Sequence, residues 1–272
     1  MKSRKGLSAI EVLAVSAFVA ILTFVATRAY DDRRPETVAR VLHRHADELA
    51  ALQERYGPGN NSEHGEEWVI RDFFRDKRGG FFVDVGANHY KNFSNTYYLD
   101  TVLGWSGIAV EPQTQFAAEY AKYRPRSRFR PFFVSNVSDA EAKLYVLKSN
   151  PLVTSADENF TRAFGSNVEQ MTAKTITLND LLTTERVTTF DFLNMDIELW
   201  EPKALAGFDI ERFRPALVCV EAHPEVRQLL LDYFAAHHYT VVGKYLRADD
   251  SNLYFAPIGF DSDGRQEPRS LP

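Results

Sequence analysis

The sequence predicts an α/β fold, in which a mostly parallel sheet is covered by helices on both faces and closed by an antiparallel hairpin. Three observations carry this. Short apolar runs such as FFVDV (81–85) and ALVCVEAH (216–223) are rich in β-branched and aromatic residues and too short to be helices. They alternate with segments of helical spacing, the pattern of strand–helix–strand units. The last two runs, YTVVGKYL (239–246) and NLYFAP (252–257), are joined only by RADDS, too short for a parallel crossover, so they pair antiparallel.

Each element follows in order. EEWVIRDFF carries Trp68, Phe73 and Phe74 and predicts a short helix, followed by the strand FFVDV. Asn95–Leu103 reads as a helix, SGIAVEP (106–112) as a strand and 114–123 as a helix. RFRPFFVS (128–135) is extended despite Pro131, and AKLYVLK (142–148) is another strand. Residues 149–172 are polar and weakly patterned, which predicts a lid or binding loop that shapes an acceptor pocket. TITLNDLL, the strand TFDFLNMDI (189–197), a helix through Leu205, the strand 216–223 and a helix over Glu225–Ala236 lead to the closing pair.

The first residues differ in kind. Lys2, Arg4 and Lys5 precede an apolar run interrupted only by Glu11. Gly6 to Thr27 would extend roughly 33 Å as a helix, enough for a hydrocarbon core of about 30 Å. Residues 1–28 are therefore expected to be a membrane anchor, with 7–27 in the bilayer. RKGLSAIEVLAV also resembles the processing region of type IV prepilins, which would place a cleavage site after Gly6; an ordinary anchor is the favoured reading. Arg28, Arg33 and Arg34 balance the basic amino terminus, so charge does not orient the span. Residues 29–62 form a linker and an amphipathic helix, with Val38, Leu42, Leu49, Leu52 and Tyr56 at helical spacing up to Gly57-Pro58. Residues 63–258 form the main domain, and 259–272 a flexible tail.

The formal net charge of -5 argues against a nucleic-acid partner, which would require a basic face. The single cysteine, Cys219, excludes an internal disulfide and reads as a small buried hydrophobe. Arg124, Arg126, Arg128 and Arg130 read as a solvated face, with lipid head groups as the alternative partner. Tyr97, Tyr98, Trp105 and Trp200 read as packing.

Ligands of such sheets sit beyond the carboxyl ends of the strands, where strand order reverses. Polar residues close the predicted strands there: Asp84, Glu111, Ser135-Asn136, Asp196 with Glu198, and Glu221 with His223. After Asp84 the chain reads G-A-N-H-Y-K from Gly86, without the further glycines a pyrophosphate cradle needs. A ligand with adenosine and no phosphates fits better. Glu111 is placed to take both ribose hydroxyls, and S-adenosylmethionine (SAM) adds a sulfonium cation suited to carboxylates. Ser94 and Asn95 either cap the next helix or touch the methionine carboxylate, and Ser135 and Asn136 are candidates for the adenine edge.

FFVDVGAN, SNTYYLDTVLGWSGIAVEP, DFLNMDIELWEPKALAGFD and LVCVEAH together resemble the FkbM-type SAM-dependent methyltransferases, from about Gly65 to Pro257. The resemblance implies a Rossmann-like fold with a seven-stranded sheet, and O-methylation of a hydroxyl, often on a sugar or glycosylated product. The cofactor-binding set it suggests is Asp84, Gly86, Ala87, Asn88, Ser94, Asn95, Glu111, Ser135, Asn136 and Asp196. Leu199 stands where the family commonly has glycine, and is expected to narrow what that glycine left open. An alkyl hydroxyl needs a base; His223 is the first candidate on its near-neutral ordinary pKa, and Asp196 or Glu198 the second. Asp196, Glu198, Glu221 and His223 are also a set able to hold Mg²⁺ or Mn²⁺, although metal-free transfer is favoured. Two other readings stay open: an inactive methyltransferase-like scaffold or pilus-associated protein, and an NAD- or nucleotide-sugar-linked enzyme. A SAM user is expected in the cytosol, where the cofactor is made.

Overall fold

The computed structural model of the chain describes residues 48–57 and 59–260. The expected anchor, its Gly6 site and most of the linker helix and tail lie outside the described residues. Among the described residues, no helix is long and apolar enough to cross a membrane. Residues from Leu49 onward group as one compact unit, apart from Met1–Glu48.

Residues 49–56 are helical and dock on the domain that follows. Leu52 packs against its core, and Tyr56 hydrogen-bonds Asp72 at 3.0 Å. This helix therefore belongs with the main domain, although the sequence places a boundary after it. Next come α1 (Glu66–Phe74), β1 (Phe81–Val85), α2 (Tyr97–Thr101), β2 (Ser106–Val110), α3 (Ala117–Tyr123) and β3 (Ser127–Arg130). A side lobe follows, with β4 (Phe133–Val134), β5 (Glu141–Leu147), α4 (Glu158–Ala163) and β6 (Val168–Ile176). The chain then returns through α5 (Leu178–Thr184), β7 (Phe192–Met195), α6 (Glu201–Leu205), α7 (Ile210–Phe213), β8 (Leu217–Glu221), α8 (Arg227–Ala236), β9 (Tyr239–Val241) and β10 (Asn252–Pro257).

The main sheet has seven strands in the order β3-β2-β1-β7-β8-β10-β9. Its pairs are parallel up to β8, and β10 runs antiparallel to both β8 and β9. Strands buried on both faces must be apolar on both. Val83, Val85, Leu193 and Val218 enter one core, and Phe82, Phe192, Leu217 and Cys219 enter the other. Each buried Val, Leu or Phe among them contributes about 1.5–3 kcal/mol on burial. The order reverses between β1 and β7, which opens a crevice above their carboxyl ends.

Three expectations from the sequence change. The single extended run 128–135 is two strands: Pro131 has no N–H for the ladder, so β3 ends in the main sheet and β4 begins a second one. That second sheet, in the order β4-β6-β5, takes residues 168–172 out of the expected loop and pairs them in β6. None of residues 168–172 is buried, so no apolar alternation marks that half of β6. The arginine run is not a free solvated face. Arg124 is fully buried and pairs with Asp100 at 3.1 Å; Arg126 also pairs with Asp100, and Arg128 and Arg130 pair with Glu185.

Candidate active site

A cleft enclosing about 840 Å³, its open mouth included, lies above the exits of β1, β2, β7 and β8. Glu111, Asp196, Glu198 and Glu221 line it from the ends of β2, β7 and β8, and Glu63 and Glu66 approach from the start of α1. Among the described residues, no lysine or arginine lines it. Such a cleft attracts cations and repels phosphates and carboxylates.

Gly86 is explained by chain geometry. Its φ is +83°, and a Cβ there would collide with the carbonyl oxygen of Asp196. The glycine lets the β1 and β7 exits touch, which brings the carboxylates of both strands into one cleft.

Glu111 sits 4% exposed after β2, its two oxygens accepting from Gln113 N at 2.8 Å and Asn88 N at 3.2 Å. Burial outweighs these bonds and pushes its pKa up to about 7. Each oxygen keeps a second lone pair for a ligand hydroxyl.

Asp84 takes no place in the lining. It is buried at the β1–β7 seam, where Thr96 Oγ1 donates at 2.5 Å and Asn194 Nδ2 at 2.9 Å. Burial raises its pKa. Thr96, at the N-cap of α2, spends its hydroxyl on Asp84, so the SNT stretch makes no side-chain cap. Ser94 accepts from Arg124 instead. Ala87 is buried, its carbonyl bonded by Tyr120. Ser135, which accepts from Trp200, and the exposed Asn136 lie outside the cleft, at the junction with the second sheet. Of the predicted cofactor set, Gly86, Asn88, Asn95, Glu111 and Asp196 line the cleft.

The turn after β7 gathers the acids. Glu198 and Leu199 take φ of +56° and +75°, the left-handed region that favours glycine. Leu199 turns its side chain onto the core and does not line the cleft, so it narrows nothing there. Glu201, fully buried, accepts from Ile197 N at 2.9 Å and keeps its Oε2 unpartnered. Its pKa rises to about 8 through burial and the Glu221 charge. Glu198 rises to about 7, chiefly through burial. Asp196 is exposed to the cleft although deep in the fold; its desolvating surroundings, then Glu221, Glu198 and Glu201, push its pKa well upward.

His223 Nε2 stands 3.3 Å from Glu198 Oε2 and 3.0 Å from Glu221 Oε1. Hydrogen bonds to Glu198 and then Glu221 push its pKa up to about 10. It does not line the cleft, whereas Asp196 and Glu198, the second candidates for the base, do. Glu198, Glu221 and His223 bring one ligand atom each within 4.8 Å of one another, a set able to hold a divalent ion; Asp196 is not in that group.

The β5–β6 connection roofs the cleft. Leu152 and Thr154 line it, and Pro151 O accepts from Gln113 Nε2 at 3.3 Å. Ser155 Oγ donates to Glu198 O at 2.7 Å, and the Phe160 ring meets His223 edge-on at 5.2 Å. Sequence reasoning missed Glu66, Asn252 and Glu201. Asn252 Nδ2 donates to Glu66 Oε1 across 186 residues, a pairing that no local spacing announces.

Residues 84–241, more than half of the chain, match the methyltransferase FkbM domain model. No curated protein sequence matches the chain at a significant level. Among solved structures, a precorrin-6y C5,15-methyltransferase from Geobacter metallireducens is 10% identical, covering 64% of this chain and 70% of its own, with a TM-score of 0.38. The 1,6-didemethyltoxoflavin-N1-methyltransferase of Burkholderia thailandensis, solved with S-adenosylhomocysteine, is 14% identical, covering 93% of this chain and 91% of its own, with a TM-score of 0.31. Likeness this distant adds nothing to the strand order, and the family match stands on its own. An acceptor-lined cleft at the strand-order reversal suits a ligand with ribose hydroxyls and a cationic sulfur, which is the make-up of SAM, the methyl donor. The chain belongs to the FkbM family of methyltransferases.

Proposed function

We propose that the chain is an O-methyltransferase acting on a hydroxyl of a sugar, glycan or glycolipid-like acceptor. The observation that carries this reading is the Asp196 carboxylate, open to the cleft and ringed by other acids. Bound SAM supplies an electrophilic methyl group. Glu111 holds the ribose hydroxyls, and Asp196 accepts the proton that the acceptor hydroxyl loses as its new C–O bond forms and the C–S bond breaks. The acids of the lining, with no lysine or arginine among the described residues beside them, support a neutral, hydroxyl-rich acceptor over one carrying phosphate near the reacting oxygen. The exposed Phe93 and Phe164 and the ring of Phe160 offer apolar surface for a sugar face. Residues 7–27 would tether the enzyme to a membrane, with the domain on the cytosolic side.

Asp196→Asn tests the base. Losing a general base typically costs 10²–10⁴-fold in turnover. The expected result is a fall of that order with S-adenosylhomocysteine affinity kept within a few-fold. Full turnover in the variant would remove Asp196 from the chemistry.

A further inference from the structure

We propose that Asn95 receives the amino group of the methionine portion of SAM, presenting its carbonyl oxygen, not its amide nitrogen, to the cleft. The inference rests on SAM being the ligand of this cleft and adds which part of it Asn95 reads.

Three side chains in series set the orientation. Asp84 as a carboxylate offers only acceptors. Its Oδ2 is occupied by Thr96 Oγ1, itself held by Arg124 Nη2 at 2.9 Å. Asn194, its register partner on β7, must turn its amide nitrogen toward Asp84 and does so at 2.9 Å. That leaves Asn194 Oδ1 facing Asn95, so Asn95 must in turn give its own nitrogen, again at 2.9 Å. Rotating either amide by half a turn would set oxygen against oxygen. The oxygen of Asn95 is left over. It is buried and has no hydrogen-bond partner, in a residue only 8% exposed that lines the cleft.

A buried acceptor without a donor is a cost the fold carries until a ligand brings an N–H or O–H. Asn95 lies over the β1–β7 seam, whereas Glu111 closes β2 on the far side of β1. A ligand with its ribose on Glu111 reaches the seam with its amino-acid end. Of that end's two charged groups, the carboxylate is refused by Asn95 Oδ1 and by the acids of the same lining, and the ammonium is accepted. Of the two roles the sequence left open for Asn95, a helix cap or the methionine carboxylate, this proposal takes neither.

The test is a calorimetric cycle with two ligands, S-adenosylhomocysteine and its desamino analogue, on the full chain and on Asn95→Ala. The wild type should bind the desamino ligand roughly tenfold or more weakly than S-adenosylhomocysteine. Asn95→Ala should lose a similar factor for S-adenosylhomocysteine and nothing further for the desamino ligand. Equal weakening of both ligands by the variant, or of neither, overturns the proposal. If the variant does not fold, the wild-type arm decides: equal affinity for the two ligands overturns it. A wild type that binds neither ligand overturns the cofactor reading itself, a separate outcome.

Discussion

Glu111 shows what a binding carboxylate must reconcile. Gripping two hydroxyls requires it ionised, yet burial favours its protonated form and raises the pKa from 4.5 to about 7. The folded state thus holds this proton more tightly than the unfolded chain. The stability it contributes is complete below about pH 4.5 and is lost as pH rises through about 7, a change of about 3 kcal/mol. Ligand affinity should move the opposite way. We predict tighter S-adenosylhomocysteine binding at pH 8 than at pH 6, with that gain reduced in Glu111→Gln. An identical pH slope in the variant would show that Glu111 does not take the ribose. At this scale the sequence was informative where a strand could be recognised: an acid closing an apolar run, as at Glu111 and Asp196, marked the cleft. It misled at Asp84, which closes a run equally well, because only the packed seam shows Asn194 and Thr96 consuming both of its oxygens.

Among the elements, the turn from Asp196 to Glu201 is the most consequential. Four carboxylates meet around it and the Glu221 strand end, and its two left-handed residues hold Glu198 toward the cleft. Leu199 occupies this left-handed position with its side chain packed on the core. Removing the side chain separates the two effects. Leu199→Gly should be more stable than Leu199→Ala by about 1 kcal/mol in denaturant melts, because only glycine adopts φ near +75° without strain. Equal stability of the two variants would mean the turn is not left-handed in solution. The β5–β6 connection is the element the sequence described least well. It carries no apolar rhythm, and its roof contacts, from Pro151, Ser155 and Phe160, are to residues far away in the chain.

For the whole molecule, strand order and charge distribution matter together. Reversal between β1 and β7 opens the crevice, and the close crossing at Gly86 draws the acids of β7 and β8 to it. The alternation of apolar runs and helices made the parallel sheet and its antiparallel close readable. The order of the strands was not readable, since it depends on crossovers that no local pattern records. Nor was the contribution of α1 and β10 to the lining, because Glu66 and Asn252 meet only after the sheet has formed.

The most direct measurement is a crystal structure of the full chain with S-adenosylhomocysteine. The ribose hydroxyls are expected on Glu111 and the sulfur facing the Asp196 side of the cleft. A nucleoside bound elsewhere, with Glu111 and Asp196 untouched, would contradict it.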